Sequence, residues 1–186
     1  MWAKHKHAGF TIVELLVVIV VIAVLAAITV VAYSGIRDRT NDTVMRDAAV
    51  KVEKATRLWY IENGQQPRGG WSSTSAVSGT NCADGTGGWF GSTTYPCTME
   101  DILRATNYLP SGFSGSLPTN AGYNNAPGRF SMMFYPCGSN RYALFWNLRL
   151  PTAEDAASVT VAETAGCPTS PRTNYGMRAA KLMTLE

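Results

Sequence analysis

From Leu15 to Ala32 the chain runs through 18 residues of which only Thr29 is polar. A helix rises about 1.5 Å per residue, so roughly 20 residues cross a ~30 Å hydrocarbon core. The segment 10–33 is therefore long enough to span a bilayer. It is rich in Val and Ile, mediocre helix formers in water. In lipid the backbone has to bond to itself, so a single span has to be a helix. Lys4 and Lys6 precede the run, which predicts a cytoplasmic N-terminus and an exported C-terminal part. Glu14 stands at the mouth of the run, where a charge is expensive and marks a functional candidate.

The pattern then changes period. Over residues 34–63, Met45, Ala48, Ala49, Val52, Ala55, Thr56 and Trp59 recur at helical spacing. Charged residues such as Arg37, Asp47, Lys51 and Lys54 fall mostly off that stripe. Proline is absent and Gly35 is the only glycine, so the membrane helix is expected to continue as an amphipathic one. A membrane helix with a joint at Ser34-Gly35 is the alternative. Gly64 supplies a stop and Pro67 prevents resumption. A helix over 11–63 would be roughly 80 Å long.

Beyond it, residues 64–186 read as a globular head. An αβ-loop (64–128) begins with a Gly/Ser/Thr/Asn-rich stretch carrying Trp71, Trp89, Phe90 and Tyr95 as anchors. Thr98-Met-Glu-Asp101 looks like a capping box opening a short helix over 99–107. Alternating apolar positions predict strands over 129–136 and 141–150, joined through Cys137-Gly-Ser-Asn140 as a hairpin. Ser158–Glu163 reads as a third strand, giving a sheet within 129–165. Residues 175–186 read equally as a short helix or an extra strand.

The leader and junction carry a family likeness. A basic stretch ending in Gly9 meets Phe10-Thr-Ile-Val-Glu14 and then the apolar run. This resembles the class III, prepilin-like signal of type IV pilins and type II secretion pseudopilins. The resemblance implies leader cleavage between Gly9 and Phe10, N-methylation of Phe10, and an assembly role for Glu14. In that family the carboxylate pairs with the N-terminal amine of a neighbouring subunit. A lone buried charge costs several kcal/mol, so such a pair enforces register even where it adds little net stability. A secretory signal would have an apolar stretch of roughly 7–15 residues followed by a small-x-small site. Here the run is longer, and Ala26-Ala27 lie inside it. A plain uncleaved anchor accounts for the length but not for Glu14 or the Gly-Phe-Thr junction. The helix end, Leu58-Trp-Tyr-Ile-Glu-Asn-Gly64 with Pro67, is similar to the helix ends of many pilins. Ala23 and Val31 stand where many pilins have a Gly and a kinking Pro, which implies a straighter span.

Charge and reactive side chains narrow the chemistry. Formal net charge is +3, and loss of Lys4 and Lys6 with the leader would leave about +1. That balance gives no argument for a nucleic-acid surface. Both histidines, His5 and His7, lie in the leader. A processed chain would lack the commonest general base and neutral metal ligand. Four cysteines, at 82, 97, 137 and 167, form no C-x-x-C pair. In an exported, oxidising setting they suggest disulfides, and Cys82–Cys97 with Cys137–Cys167 each close a local loop. Asp84-Gly-Thr-Gly87, Glu154-Asp155 and Glu163 offer too few clustered acids for a calcium site, so neither metal nor cofactor is expected. No catalytic constellation is visible. The Asn41-Asp-Thr43 sequon falls on the long helix.

The expected fold is α+β, a pilin fold: a long N-terminal helix packed on a small antiparallel sheet. The resemblance implies a structural, non-enzymatic subunit of a type IV pilus-like filament. It would begin as a single-pass membrane precursor in contact with lipid and end in an extracellular filament serving adhesion, motility or secretion. Implied partners are copies of itself, minor pilins, prepilin peptidase, an inner-membrane platform protein and, indirectly, an assembly ATPase. A type II secretion pseudopilin, a minor tip pilin and a membrane-anchored extracellular binding module are the alternatives.

Overall fold

The protein is described by a computed structural model covering residues 9–64, 67, 87–92, 98–138 and 140–185. Its contacts divide it into an N-terminal unit ending at Asp38 and a larger unit from Arg39 onward. Helix α1, Ile12–Asn63, runs through both and is helical at Ser34 and Gly35. The basic leader, Trp71, Tyr95, and the expected Cys82–Cys97 pair lie outside the described residues.

In the N-terminal unit every residue from Phe10 to Ile36 is exposed. It is the one helix, among the described residues, long and apolar enough to cross a membrane. Its internal hydroxyl causes no break: Thr29 Oγ1 donates to the Ala26 carbonyl at 2.9 Å.

In the larger unit, the apolar stripe of α1 goes inward. Met45, Ala48, Ala49, Val52, Ala55, Thr56 and Trp59 are all buried. Asp42 is buried beside them, and its carboxylate accepts the Arg149 and Leu150 amides at 2.8 Å each. The helix ends at Gly64, whose left-handed φ of +62° lets its N–H reach the Tyr60 carbonyl at 2.8 Å.

Four antiparallel strands form the sheet in the order β1 (Gly88–Trp89), β2 (Met132–Pro136), β3 (Arg141–Trp146), β4 (Ala179–Thr184). The central hairpin pairs Met132 with Trp146 and Pro136 with Tyr142. Successive side chains of a strand point to opposite faces. Met132, Phe134, Tyr142, Leu144 and Met183 accordingly join the α1 stripe in one core. Helix α2 (Met99–Ala105) adds Met99, Ile102 and Leu103 to it. Its Thr98–Asp101 capping box is present. Glu100, also buried, accepts the Ser114 amide at 2.8 Å and the Ser114 hydroxyl.

Met133, Ala143, Phe145 and Ala180 face the other way, into a second core with Val159 and Ala162. Those two belong to α3, Ala153–Thr164. The expected strand at Ser158–Glu163 is therefore a helix. The β-branched alternation Val159-Thr-Val161 suggested a strand. It is outweighed by the Thr152–Asp155 capping box and an alanine-rich first turn. The sheet is thus covered on both faces and does not lie within 129–165: its fourth strand comes from 179–184. Residues 128–130 form a 3₁₀ turn before β2, and β3 ends at Trp146. β1 lies in the stretch read as loop, paired with Met133 and Phe134. The Cys137–Cys167 disulfide, Cα–Cα 4.4 Å, ties the end of β2 to the segment between α3 and α4 (Ser170–Tyr175). The whole is α+β: a long apolar helix, a small antiparallel sheet and a disulfide.

Candidate functional site

The residues singled out at the N-terminus are Gly9, Phe10 and Glu14. Gly9 and Phe10 precede the first helical residue, and Phe10 is 79% exposed. Glu14 sits in the first turn of α1. Its Oε2 accepts the Thr11 amide at 2.8 Å and the Thr11 hydroxyl at 2.8 Å. In return the Glu14 amide donates to Thr11 Oγ1 at 3.2 Å. This reciprocal pair is a capping box, with Thr11 as N-cap and Glu14 three residues on. It satisfies amides that the helix start would otherwise leave unpaired. An acid in the first turn also complements the helix dipole.

Thr11 is a partner of Glu14 that position in the apolar run does not single out. Its signal was present, because T-x-x-E before an apolar run is the same pattern recognised at Thr98. The arrangement fixes where the carboxylate points. Both bonds fall on Oε2, which leaves Oε1 for a partner from outside the helix.

Of the other acids considered for a metal, Asp84 lies outside the described residues, and Asp155 and Glu163 are engaged with partners of their own. Asp155 Oδ2 accepts from Thr152 and from Arg46 at 2.6 Å, and Glu163 forms a two-pronged contact with Arg172 at 2.8 and 3.1 Å. Among the described residues no group of His, Cys, Asp and Glu is disposed to hold a metal. Of the loop aromatics, Phe90 is fully buried, 6.0 Å from Phe113, while Trp89 is half-exposed.

A family model matches the same end of the chain. Residues 4–30 match the prokaryotic N-terminal methylation motif. Over 55 residues the chain is 40% identical to the type IV wide pilus major component PilA4 of Thermus thermophilus. That alignment covers 30% of this chain and 42% of the relative, so the match spans less than half of that protein. No solved structure matches significantly. The apolar helix and the motif fit a membrane-anchored precursor. Over the matched stretches the chain is similar to type IV pilins, and its α+β architecture, a long apolar helix with a small antiparallel sheet, is compatible with that likeness.

Proposed function

We propose that the chain is a structural subunit of a type IV pilus-like filament, built by polymerisation of its N-terminal helix. The observation that carries this reading is the exposed apolar surface of α1 from Ile12 to Ile36, interrupted by one carboxylate held at its mouth. An apolar area of that size has to be covered. Lipid covers it in the precursor, and the helices of other subunits cover it in a fibre.

In this reading prepilin peptidase cuts between Gly9 and Phe10 and methylates the new amine on Phe10. That amine is a positive charge entering an apolar bundle. Glu14 of a neighbouring copy, oriented by Thr11, meets it through Oε1. Copies of the chain and minor pilins are the partners in the fibre. An inner-membrane platform protein would feed subunits in, driven indirectly by an assembly ATPase. The role is structural, not enzymatic.

The Glu14→Ala variant tests the pairing. It should be cleaved at the normal rate while its incorporation into sheared filaments drops at least about tenfold, the scale of one lost buried pair. Normal filament yield from this variant would sink the pairing argument.

A further inference from the structure

A second feature lies on the head, on the side of the sheet away from α1. Trp89 of β1, Tyr123 in the turn over 120–126, and Tyr175 at the end of α4 bring their rings into mutual contact. Centroids are 5.3 Å apart for Trp89–Tyr123, 4.8 Å for Trp89–Tyr175 and 5.4 Å for Tyr123–Tyr175. All three remain partly exposed. They front a cavity of about 400 Å³, within the roughly 300–1,000 Å³ of small-molecule sites. Tyr135 and Ser170 complete the polar part of its lining.

The wall is held by buried groups. Asn120, fully buried, donates to the carbonyls of Phe130 at 2.7 Å and Tyr175 at 3.1 Å. Asn147, also buried, accepts the Ala121 amide at 3.1 Å and donates to the Gly176 carbonyl at 2.7 Å. Gly122 and Gly176 pass so closely that a Cβ on either would lie within 2.8 Å of the other's backbone. These contacts lock the Tyr123 turn against the end of α4. Tyr135 stands two residues before Cys137, and Ser170 three after Cys167, so the disulfide fixes the spacing of the polar pair. Burial raises the Tyr135 phenol above its usual range; a hydrogen bond from Ser170 partly opposes this, and Tyr175 adds to it. It is a protonated donor at neutral pH.

The lining carries no charged side chain among the described residues. It offers no counter-charge to a phosphate or carboxylate, which argues against a nucleotide. Arg129, stacked 5.1 Å over Phe130, is not part of that lining. Rings about 5 Å apart pack on one another and leave no gap between them, so they make a wall and not a cage around a quaternary ammonium. An aromatic wall faced by hydroxyls that both donate and accept suits a neutral sugar. The rings are tilted 41–75° to one another, so the C–H face of the sugar ring stacks on one of them while its hydroxyls reach Tyr135 and Ser170.

The geometry points to a binding site for a neutral carbohydrate residue between the Trp89–Tyr123–Tyr175 wall and the Tyr135–Ser170 pair. The test is saturation-transfer NMR on the full chain in polyoxyethylene micelles, which contain neither sugar nor ammonium. The probes are the methyl glycosides of glucose, galactose and N-acetylglucosamine, with choline and AMP run in parallel. At least one glycoside should receive saturation at its ring C–H protons. Its affinity should fall about tenfold or more in Trp89→Leu and severalfold in Tyr135→Phe, which keeps the ring and removes only the hydroxyl. Melting of each variant with the disulfide intact checks its fold. The proposal is overturned by no transfer to any glycoside, by binding that Tyr135→Phe and Ser170→Ala leave unchanged, or by choline or AMP binding in place of the sugars.

Discussion

Asp42 shows how one residue can fasten a helix to a head. It is an acid in an otherwise apolar stripe, buried because two consecutive amides, Arg149 and Leu150, both donate to it at 2.8 Å. The periodicity of α1 predicted its apolar neighbours but gave no reason to expect an acid among them. Its partners lie more than a hundred residues away, at a distance no local pattern reaches. Asp42→Ala would deprive both part-buried amides of this acceptor, at about 1–3 kcal/mol. Asp42→Asn, which keeps one acceptor oxygen, should cost clearly less. Thermal or denaturant unfolding of both variants measures the difference, and equal costs would contradict the assignment. Glu14 is the opposite case. Its position at the mouth of an apolar run singles it out in the sequence, while its local partner Thr11 is given by the hydrogen bonds.

Among the elements, α1 was the most readable, because a 3.6-residue stripe across many turns admits one interpretation. The hairpin was readable too, through two apolar runs flanking turn residues. β1 was not, since two residues of strand exist only because Met133 and Phe134 pair with them. β4 was undecided for the same reason: its partner strand lies some forty residues earlier. The misreading of α3 is the instructive one. Val159 and Val161 alternate as in a strand, yet only Val159 is buried, on the face shared with Ala162. The residues of β2 and β3 between the core-facing ones, Met133, Ala143 and Phe145, are apolar too and leave a second face to be covered. Something had to cover the second face, and α3 does.

The seating of α3 carries a pH dependence. Burial raises the Asp155 carboxyl, but the Thr152 amide and hydroxyl together with Arg46 outweigh it and bring it below the ordinary carboxylate range. A carboxyl lowered by folding contributes stability above its unfolded value of roughly 3.9 and loses it as pH falls through the folded one. The gap in melting temperature between the parent chain and Asp155→Asn should therefore be widest near neutrality and narrow below about pH 4. A gap that stays constant into acid would contradict this.

At the scale of the molecule, two kinds of surface coexist. The N-terminal unit exposes apolar side chains on every face, an arrangement at home in lipid or in a bundle of identical helices. Among its described residues the head keeps two apolar cores inside and carries an aromatic-lined cavity at its surface. The proposed filament role would use this division between an apolar helix and a separately packed head. The 40% identity to a pilus component concerns 55 residues, 30% of the chain.

The measurement that tests the central claim most directly is the mass of the N-terminal peptide, taken from cells and from sheared surface material. The account predicts a peptide beginning at Phe10 and carrying one added methyl, present in the sheared fraction. A leader still attached through Gly9, or a processed chain absent from the sheared material, would contradict it.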